Sequence, residues 1–440
     1  MRTLLTTQNK RVIKSISLNQ EQICFLQNQG ITNFSKYMKN LFIETFENFP
    51  TDTKKGKKKV ILPVNNHITG SCIVDNSSEL ISTPKKRIIR IGCHFGGIGS
   101  VEESIRQMKE SGLFNDIEFI VVYSIEWDIG VRQVYIDNWD LNPEHFYTDI
   151  TKVDETTLPE VDIIFTSPVC CSFSIQGLRG GFDDTRGTLI FESLRIINHQ
   201  KPMYVLYENV KGLVNHDQGI TFEVIQKSFK NIGYKNNWKV LNSLDFDLPQ
   251  NRERIFGILS REDIEPVEFP IGERTTKSLN DFLEENVDTS YNLDTQYVIN
   301  NPKYNPNGQG VLSITQTHMY TKTTFMSDQR VQCSSGFCGT LTTSSTNTKI
   351  HIKETNVSRN LTERERIRLQ GFSDNFILPL KPDGTFHKTL NGKISGNTIP
   401  VPVVKSLLTQ VLHSIEKSMK TSHISSNNSD YETQPTRLIS

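Results

Sequence analysis

From Arg87 to Gly233 the chain alternates short apolar runs with segments of helical spacing, and this alternation restricts the fold more than any other feature. RIIRIGCHFGGIGS is an apolar run ending in a glycine turn, and VEESIRQMKESG follows with helical spacing and a stop at Gly112. IEFIVVYSIEWD is a second strand ending in acids, and GVRQVYIDNW reads as a helix. VDIIFTSPV, TLIFESLRIINHQ, MYVLYENV and FEVIQKSFKNIG continue the pattern as strand, helix, strand and helix, the last ending at Gly233. Strands alternating with helices of this size predict an α/β fold, a mostly parallel Rossmann-like sheet with helices on both faces. Ligands of such sheets sit outside the carboxyl ends of the strands. The unusual polar residues of this chain fall at those ends.

The flanking regions differ in texture. Residues 1–84 read as an appendage with helix-compatible spacing from Asn19 to Phe49, then a lysine run, Lys54, Lys55, Lys57, Lys58 and Lys59. That run fits a solvated linker or a phosphate-contacting segment. Residues 85–260 carry the alternation. Residues 261–355 lose it and are rich in Thr, Ser, Asn and Gly, which predicts loops and short strands. Helical texture returns over 356–418, and 419–440 reads as a disordered tail.

Bulk charge does not announce a partner, because Lys+Arg and Asp+Glu each total 49 in the 440 residues. The seven cysteines show no regular framework, which points to a reducing, cytoplasmic setting. No run suggests a secretory signal or a membrane span.

Several strand ends carry chemistry. Phe95–Ser100, FGGIGS, places Gly97 and Gly99 where a strand turns into a helix, so a ligand can approach the backbone. Alone, the pattern fits a nicotinamide-cofactor turn or a plain tight turn. Glu126 ends the next strand, where a carboxylate can bind both ribose hydroxyls. Trp127 offers a flat face for an adenine ring. Asp149, in YTDI, can accept from an adenine amine. Together these describe an adenosine pocket. With no G-x-x-x-x-G-K-[ST] for a triphosphate, the pocket suggests S-adenosylmethionine. TSPVCCSFS sets Cys170 and Cys171 just past a strand end, open to readings as nucleophile, metal ligand or small buried residue. Cys333 and Cys338 have no evident His partners, so no metal site is expected. Glu208 of YENV is a candidate general acid toward a ring nitrogen. Arg252 and Arg254 of QNRER alternate, so an extended segment points both to one face.

In this order, F-x-G-x-G, the E-W-D strand end, D-I, P-x-C followed by F-S, E-N-V, Q-x-R-x-R, R-E-x-x-R-L-Q-G-F and G-N resemble the DNA (cytosine-5) methyltransferase family. The match runs from Phe95 to about Val404 and skips roughly 261–355, where that family keeps a variable target-recognition region. The resemblance implies a methyltransferase sheet with a smaller, irregular β-containing recognition domain. It implies that Phe95, Gly97, Gly99, Glu126, Trp127, Asp149, Ile150 and Pro168 line the S-adenosylmethionine site, with Asn397 reaching it from the far end. It implies that Cys170 is the nucleophile and Glu208 its partner on the base. Arg252 and Arg254 would support the base and a closing loop, SIQGLRGGFDDTRG, and residues 362–374 would brace the domain junction. The implied partner is double-stranded DNA, with a cognate endonuclease where the enzyme serves restriction–modification, and the expected state is a monomer. A tRNA-directed enzyme and an inactive DNA-binding relative are the alternatives.

The chain departs from the family pattern in places. Pro168-Val169-Cys170-Cys171 stands where P-P-C-Q is usual, so aligning Phe173-Ser174 with F-S sets Cys171 in the glutamine position. Cys93 replaces a frequent aspartate, and Ser373 a frequent proline.

Overall fold

The computed structural model describes residues 86–113, 116–168, 189–293, 313–315, 330–344, 348–352 and 354–428, all within the compact unit that begins at Ile81. The expected helical piece Asn19–Phe49, the lysine run, Cys170, Cys171 and the loop SIQGLRGGFDDTRG lie outside the described residues.

The main sheet comprises β1 (Arg87–His94), β2 (Ile117–Ile125), β3 (Phe146–Tyr147), β4 (Ile163–Thr166), β5 (Tyr204–Val210), β6 (Tyr234–Lys235), β7 (Trp238–Asn242) and β9 (Glu253–Arg261). The spatial order is β3-β2-β1-β4-β5-β9-β6, with β7 also paired to β9. Strands β1 to β5 pair in parallel, and β9 pairs antiparallel with β5, β6 and β7. The apolar runs are continuous rather than alternating because both faces of the sheet are covered. On one face Ile89, Ile91 and Cys93 pack against Val101 and Met108 of α1 (Ser100–Glu110) and against Val404, Leu407, Leu408 and Val411 of α7 (Val401–Asn428). On the other, Ile164, Val205 and Tyr207 pack against Ile190 and Ile197 of α3 (Leu189–Gln200) and Ile225 and Phe229 of α4 (Ile220–Asn231). The remaining α-helices among the described residues are α2 (Ile129–Asn138), α5 (Glu363–Arg368) and α6 (Lys388–Asn397).

A second, four-stranded sheet of β10 (Ser313–Thr315), β11 (Arg330–Cys333), β13 (Lys349–Ile352) and β14 (Val357–Asn360) follows. Beside it Leu279, Cys338, Leu341, Ile350, Leu361 and Leu369 form a separate apolar cluster. The two regions are stitched where β12 (Cys338–Gly339) pairs with β8 (Gln250–Asn251). One expectation needs correcting. Helix α7 runs on to Asn428, into the stretch 419–440 read as a disordered tail. Its apolar stripe continues to Met419, which packs against the main core.

A buried polar chain crosses the sheet at the end of β1. His94 Nδ1 meets Ser193 Oγ at 2.6 Å and His94 Nε2 meets Tyr123 Oη at 3.0 Å. Tyr123 donates to Gln200 Oε1 at 3.0 Å, so its oxygen receives the His94 Nε2–H of a neutral ring. Burial, with the Arg195 cation, pushes the His94 pKa down to about 3. The unfolded chain protonates this histidine near pH 6.5, so between those values the unfolded state binds the extra proton. Stability should therefore fall as pH drops below about 6.5, with His94 adding a slope approaching about 1.4 kcal/mol per pH unit. Urea unfolding of the wild type and His94→Gln between pH 7 and 5 should show the shallower slope in the variant; equal slopes would exclude this role.

Candidate active site

Strands β1 to β5 are parallel, so their carboxyl ends form one edge. The chain moves outward from β1 to β2 and β3, then crosses to β4 on the other side. The switch point, and the crevice it opens, lies between β1 and β4. Along this edge stand Asp149 after β3, Glu126 after β2, Phe95–Ser100 after β1, Pro168 after β4, and Glu208 within β5. Because β9 runs antiparallel, its beginning meets the end of β5, with Arg254 opposite Val210. The arginines thereby reach the same edge.

The turn after β1 is left-handed at Phe95 (φ 61°), Gly97 (φ 58°) and Gly99 (φ 90°). The two glycines serve different ends. A Cβ on Gly97 would meet nothing within 4 Å, whereas one on Gly99 would lie 2.1 Å from the Trp139 indole nitrogen. Gly97 therefore fronts open space and Gly99 permits packing. Glu126 binds this turn, its Oε2 accepting from Gly97 N–H at 3.1 Å and its Oε1 from Asp128 N–H at 2.9 Å. Two bonds leave acceptor capacity on a carboxylate. Burial raises the Glu126 pKa, partly offset by those backbone bonds. Trp127 is 71% exposed, an unusual state for an indole unless its face is used. Asp149 accepts from Thr151 Oγ1 at 2.7 Å and Thr151 N–H at 3.1 Å, and these bonds hold its carboxyl below the usual range. The Ile150 side chain is buried in the core, so only its backbone borders the edge. Asn397 is exposed at the end of α6, next to Thr398, whose Oγ1 lies 2.9 Å from Ser100 Oγ at the start of α1.

Across the switch point, Glu208 is 8% exposed and pairs with Arg254, Nε to Oε1 at 3.3 Å. Burial raises the Glu208 pKa, while Arg254 and then Arg252 pull it back. Arg252 is differently employed. Its guanidinium donates to the carbonyls of Thr398 at 2.9 Å, Gly396 at 3.1 Å and Leu341 at 3.4 Å, which makes it a brace between segments. Two further residues sit in the quoted motifs but were passed over in the sequence. Asn209 of E-N-V donates to the Pro168 carbonyl at 3.3 Å, fixing the chain just before Cys170. Gln250 of Q-x-R-x-R donates to Leu369 O at 2.9 Å and accepts from Leu341 N–H at 3.0 Å. The signal for Asn209 was a polar residue inside an apolar strand end; Gln250, in the polar run QNRER, carried none.

Residues 362–374 knit the junction. Thr362 and Glu365 form a capping box on α5, and Glu365 receives Arg359 in a buried two-point bond at 2.6 and 2.8 Å. Arg366 reaches Ser395 Oγ at 2.9 Å, and Arg368 holds Asp374 at 2.7 Å. The described cysteines are unsuited to attack. Cys93, Cys333 and Cys338 are buried, and burial pushes the Cys93 thiol up and Cys338 to about 12. Among the described residues no cluster of His, Cys, Asp and Glu could hold a metal, and no helix is long and apolar enough to cross a membrane.

The sheet order and the crevice at its switch point define a Rossmann-like methyltransferase fold. It is shared with the solved Dnmt2 methyltransferase of S. pombe at TM-score 0.54 and 19% identity, covering 74% of this chain and 99% of that one. Sequence comparison carries this further. The chain is 31% identical over 334 residues to the type II methyltransferase M.SsoII of Shigella sonnei, covering 73% of this chain and 79% of the relative. It is 33% identical over 339 residues to M1.ScrFI of Lactococcus lactis subsp. cremoris, covering 74% and 78%. Residues 94–413 match the C-5 cytosine-specific DNA methylase family, and the chain belongs to that family.

Family membership implies methylation dependent on S-adenosylmethionine, and a ribose held by Glu126 predicts a pH signature. The ionised form of Glu126 accepts hydroxyls. Since burial raises its pKa, cofactor affinity should fall on acidification at a higher pH than a solvated glutamate (about 4.3) would set. Calorimetric titration should also find Glu126→Gln weaker by roughly tenfold at neutral pH with little change on acidification. A variant with wild-type affinity would remove Glu126 from the pocket.

Proposed function

We propose that the chain methylates C5 of a cytosine flipped out of duplex DNA, within one short recognition sequence. The observation that carries this reading is the buried Glu208–Arg254 pair at the sheet edge, across the switch point from the Glu126 turn. The residues of that turn fit S-adenosylmethionine. Gly97 leaves room for a ligand, Glu126 retains acceptor capacity and Trp127 presents a free face. When bound, the cofactor supplies an electrophilic methyl group on a positively charged sulfur.

Cytosine C5 is a poor nucleophile, so the protein must move electrons onto it. Cys170 adds as thiolate to C6, forming an S–C6 bond. Glu208, with its pKa raised by burial, holds a proton toward N3 and offsets the negative charge developing on the ring. Arg254 beside it keeps the carboxyl oriented. C5, now enamine-like, would then accept the methyl group of bound S-adenosylmethionine, the S–CH3 bond breaking with its electron pair left on sulfur as S-adenosylhomocysteine. Loss of the C5 proton to a base or water then expels the Cys170 thiolate. Asn209 holds the Pro168 carbonyl, so the strand end leading to Cys170 is fixed to β5. Arg252 braces the segments around the site.

A stacked base is unreachable, so the nucleotide must leave the duplex. Residues 261–355, which hold three of the four strands of the second sheet and most of its neighbouring apolar cluster, are the reader of flanking bases. The type II methyltransferase names of the bacterial relatives favour a modification enzyme; a cognate endonuclease, a cytoplasmic location and a monomeric state complete the proposal.

Base-resolution methylation mapping in a methylation-free bacterium tests the reading. The wild type should modify one short sequence, Cys170→Ser should modify none, and Cys171→Ser should retain much of the activity. Glu208→Gln should slow single turnover roughly 100-fold or more. An unmodified genome with abundant folded protein, or activity that depends on Cys171 instead, would overturn it.

A further inference from the structure

We propose that Lys393 is a positioning residue for the cofactor, acting through Asp128 and Glu126 without touching the ligand. The inference rests on the reading of the Glu126 turn as the S-adenosylmethionine site. Lys393, on α6, forms an ion pair with Asp128, 265 positions away in sequence. Asp128 has two further bonds. Its carboxylate caps α2 by accepting from Val131 N–H at 2.9 Å, and its own N–H donates to Glu126 Oε1 at 2.9 Å. Glu126 Oε2 then accepts from Gly97 N–H at 3.1 Å. A continuous polar chain therefore runs from α6 through Lys393, Asp128 and Glu126 to the glycine turn.

Trp127 lies between the two acids of this chain. Its exposed ring has few contacts of its own to set its place, so whatever fixes Glu126 and Asp128 fixes the backbone that presents it. The approach of α6 to α2 is close. A Cβ on Gly130 would lie 3.2 Å from a Leu390 methyl, which keeps Lys393 within reach of Asp128. The end of the same helix meets the pocket frame again, through Thr398 and Ser100 at 2.9 Å. The pair is half-open to solvent, with side chains 43% and 30% exposed, so its contribution to global stability is small and its effect falls on local geometry. The Asp128 carboxylate repels the ionised Glu126 that a ribose requires, and the positive charge of Lys393 offsets part of that repulsion.

The test is calorimetric binding of S-adenosylmethionine and S-adenosylhomocysteine to the intact protein. Lys393→Met should bind about three- to fivefold more weakly. Asp128→Asn, which retains a good helix cap, should lose a similar factor. The double variant should be no weaker than either single one, and Lys393→Arg should restore affinity. In turnover, KM for the cofactor should rise in Lys393→Met with kcat changed by less than about twofold. Unchanged affinity in Lys393→Met, or losses that multiply in the double variant, would overturn the inference while Glu126→Gln still binds weakly. Wild-type affinity in Glu126→Gln would instead overturn the pocket reading and the inference with it.

Discussion

The Arg252 guanidinium is the interaction on which the site's assembly depends. It is 2% exposed and donates to carbonyls at Leu341, Gly396 and Thr398, positions that the chain reaches only after long excursions. A buried cation is tolerated only where dipoles replace its hydration, and here three backbone carbonyls do so. Removing it would strand those carbonyls at about 1–3 kcal/mol each. The carbonyls belong to the segment after β12 and to the end of α6, so one side chain of the β5–β9 edge holds both the segment at Leu341 and the Asn397 turn in register. Gln250, two residues earlier, repeats the device with Leu341 and Leu369.

The antiparallel entry of β9 places that side chain. Had β9 joined the sheet in parallel, Arg252 and Arg254 would lie at the opposite edge from Glu208. Instead the short β6 and β7 strands turn the chain around, so the Glu126 turn and the Glu208–Arg254 pair lie along one edge of the sheet. Glycine turn, acid and exposed indole lie on one side of the switch point; carboxyl and arginine lie on the other. The two buried carboxyls differ in what surrounds them. Glu126 is held by backbone N–H groups that leave acceptor capacity for hydroxyls, while at Glu208 burial favours the protonated carboxyl and the facing Arg254 guanidinium opposes it.

Much of this was legible in the sequence, for a local reason. Glu126, Asp149 and Glu208 each close an apolar run, and a strand's end follows from its own residues. Gly112 and Gly233 stop helices in the left-handed conformation that favours glycine. What was not legible depends on distant chain. Nothing near Arg252 announces carbonyls at 396 and 398, so its alternation with Arg254 suggested two equivalent guanidiniums where the structure gives one brace and one carboxylate partner. The direction of β9 depends on two short strands with weak signals. The continuation of α7 to Asn428 was hidden by a Ser- and Asn-rich composition, although Met419 still reaches the core.

The chemistry turns on Cys170, the first of two adjacent thiols, which is proposed to bond to C6 of the target cytosine. A duplex carrying the recognition sequence with 5-fluorocytosine at the target tests this most directly, since fluorine cannot leave as the proton does and the adduct persists after methyl transfer. Mass spectrometry of the digested complex should find the nucleotide on the peptide at Cys170 in the wild type and in Cys171→Ser, and nowhere in Cys170→Ser. An adduct on Cys171, or methyl transfer without any trapped cysteine, would contradict the account.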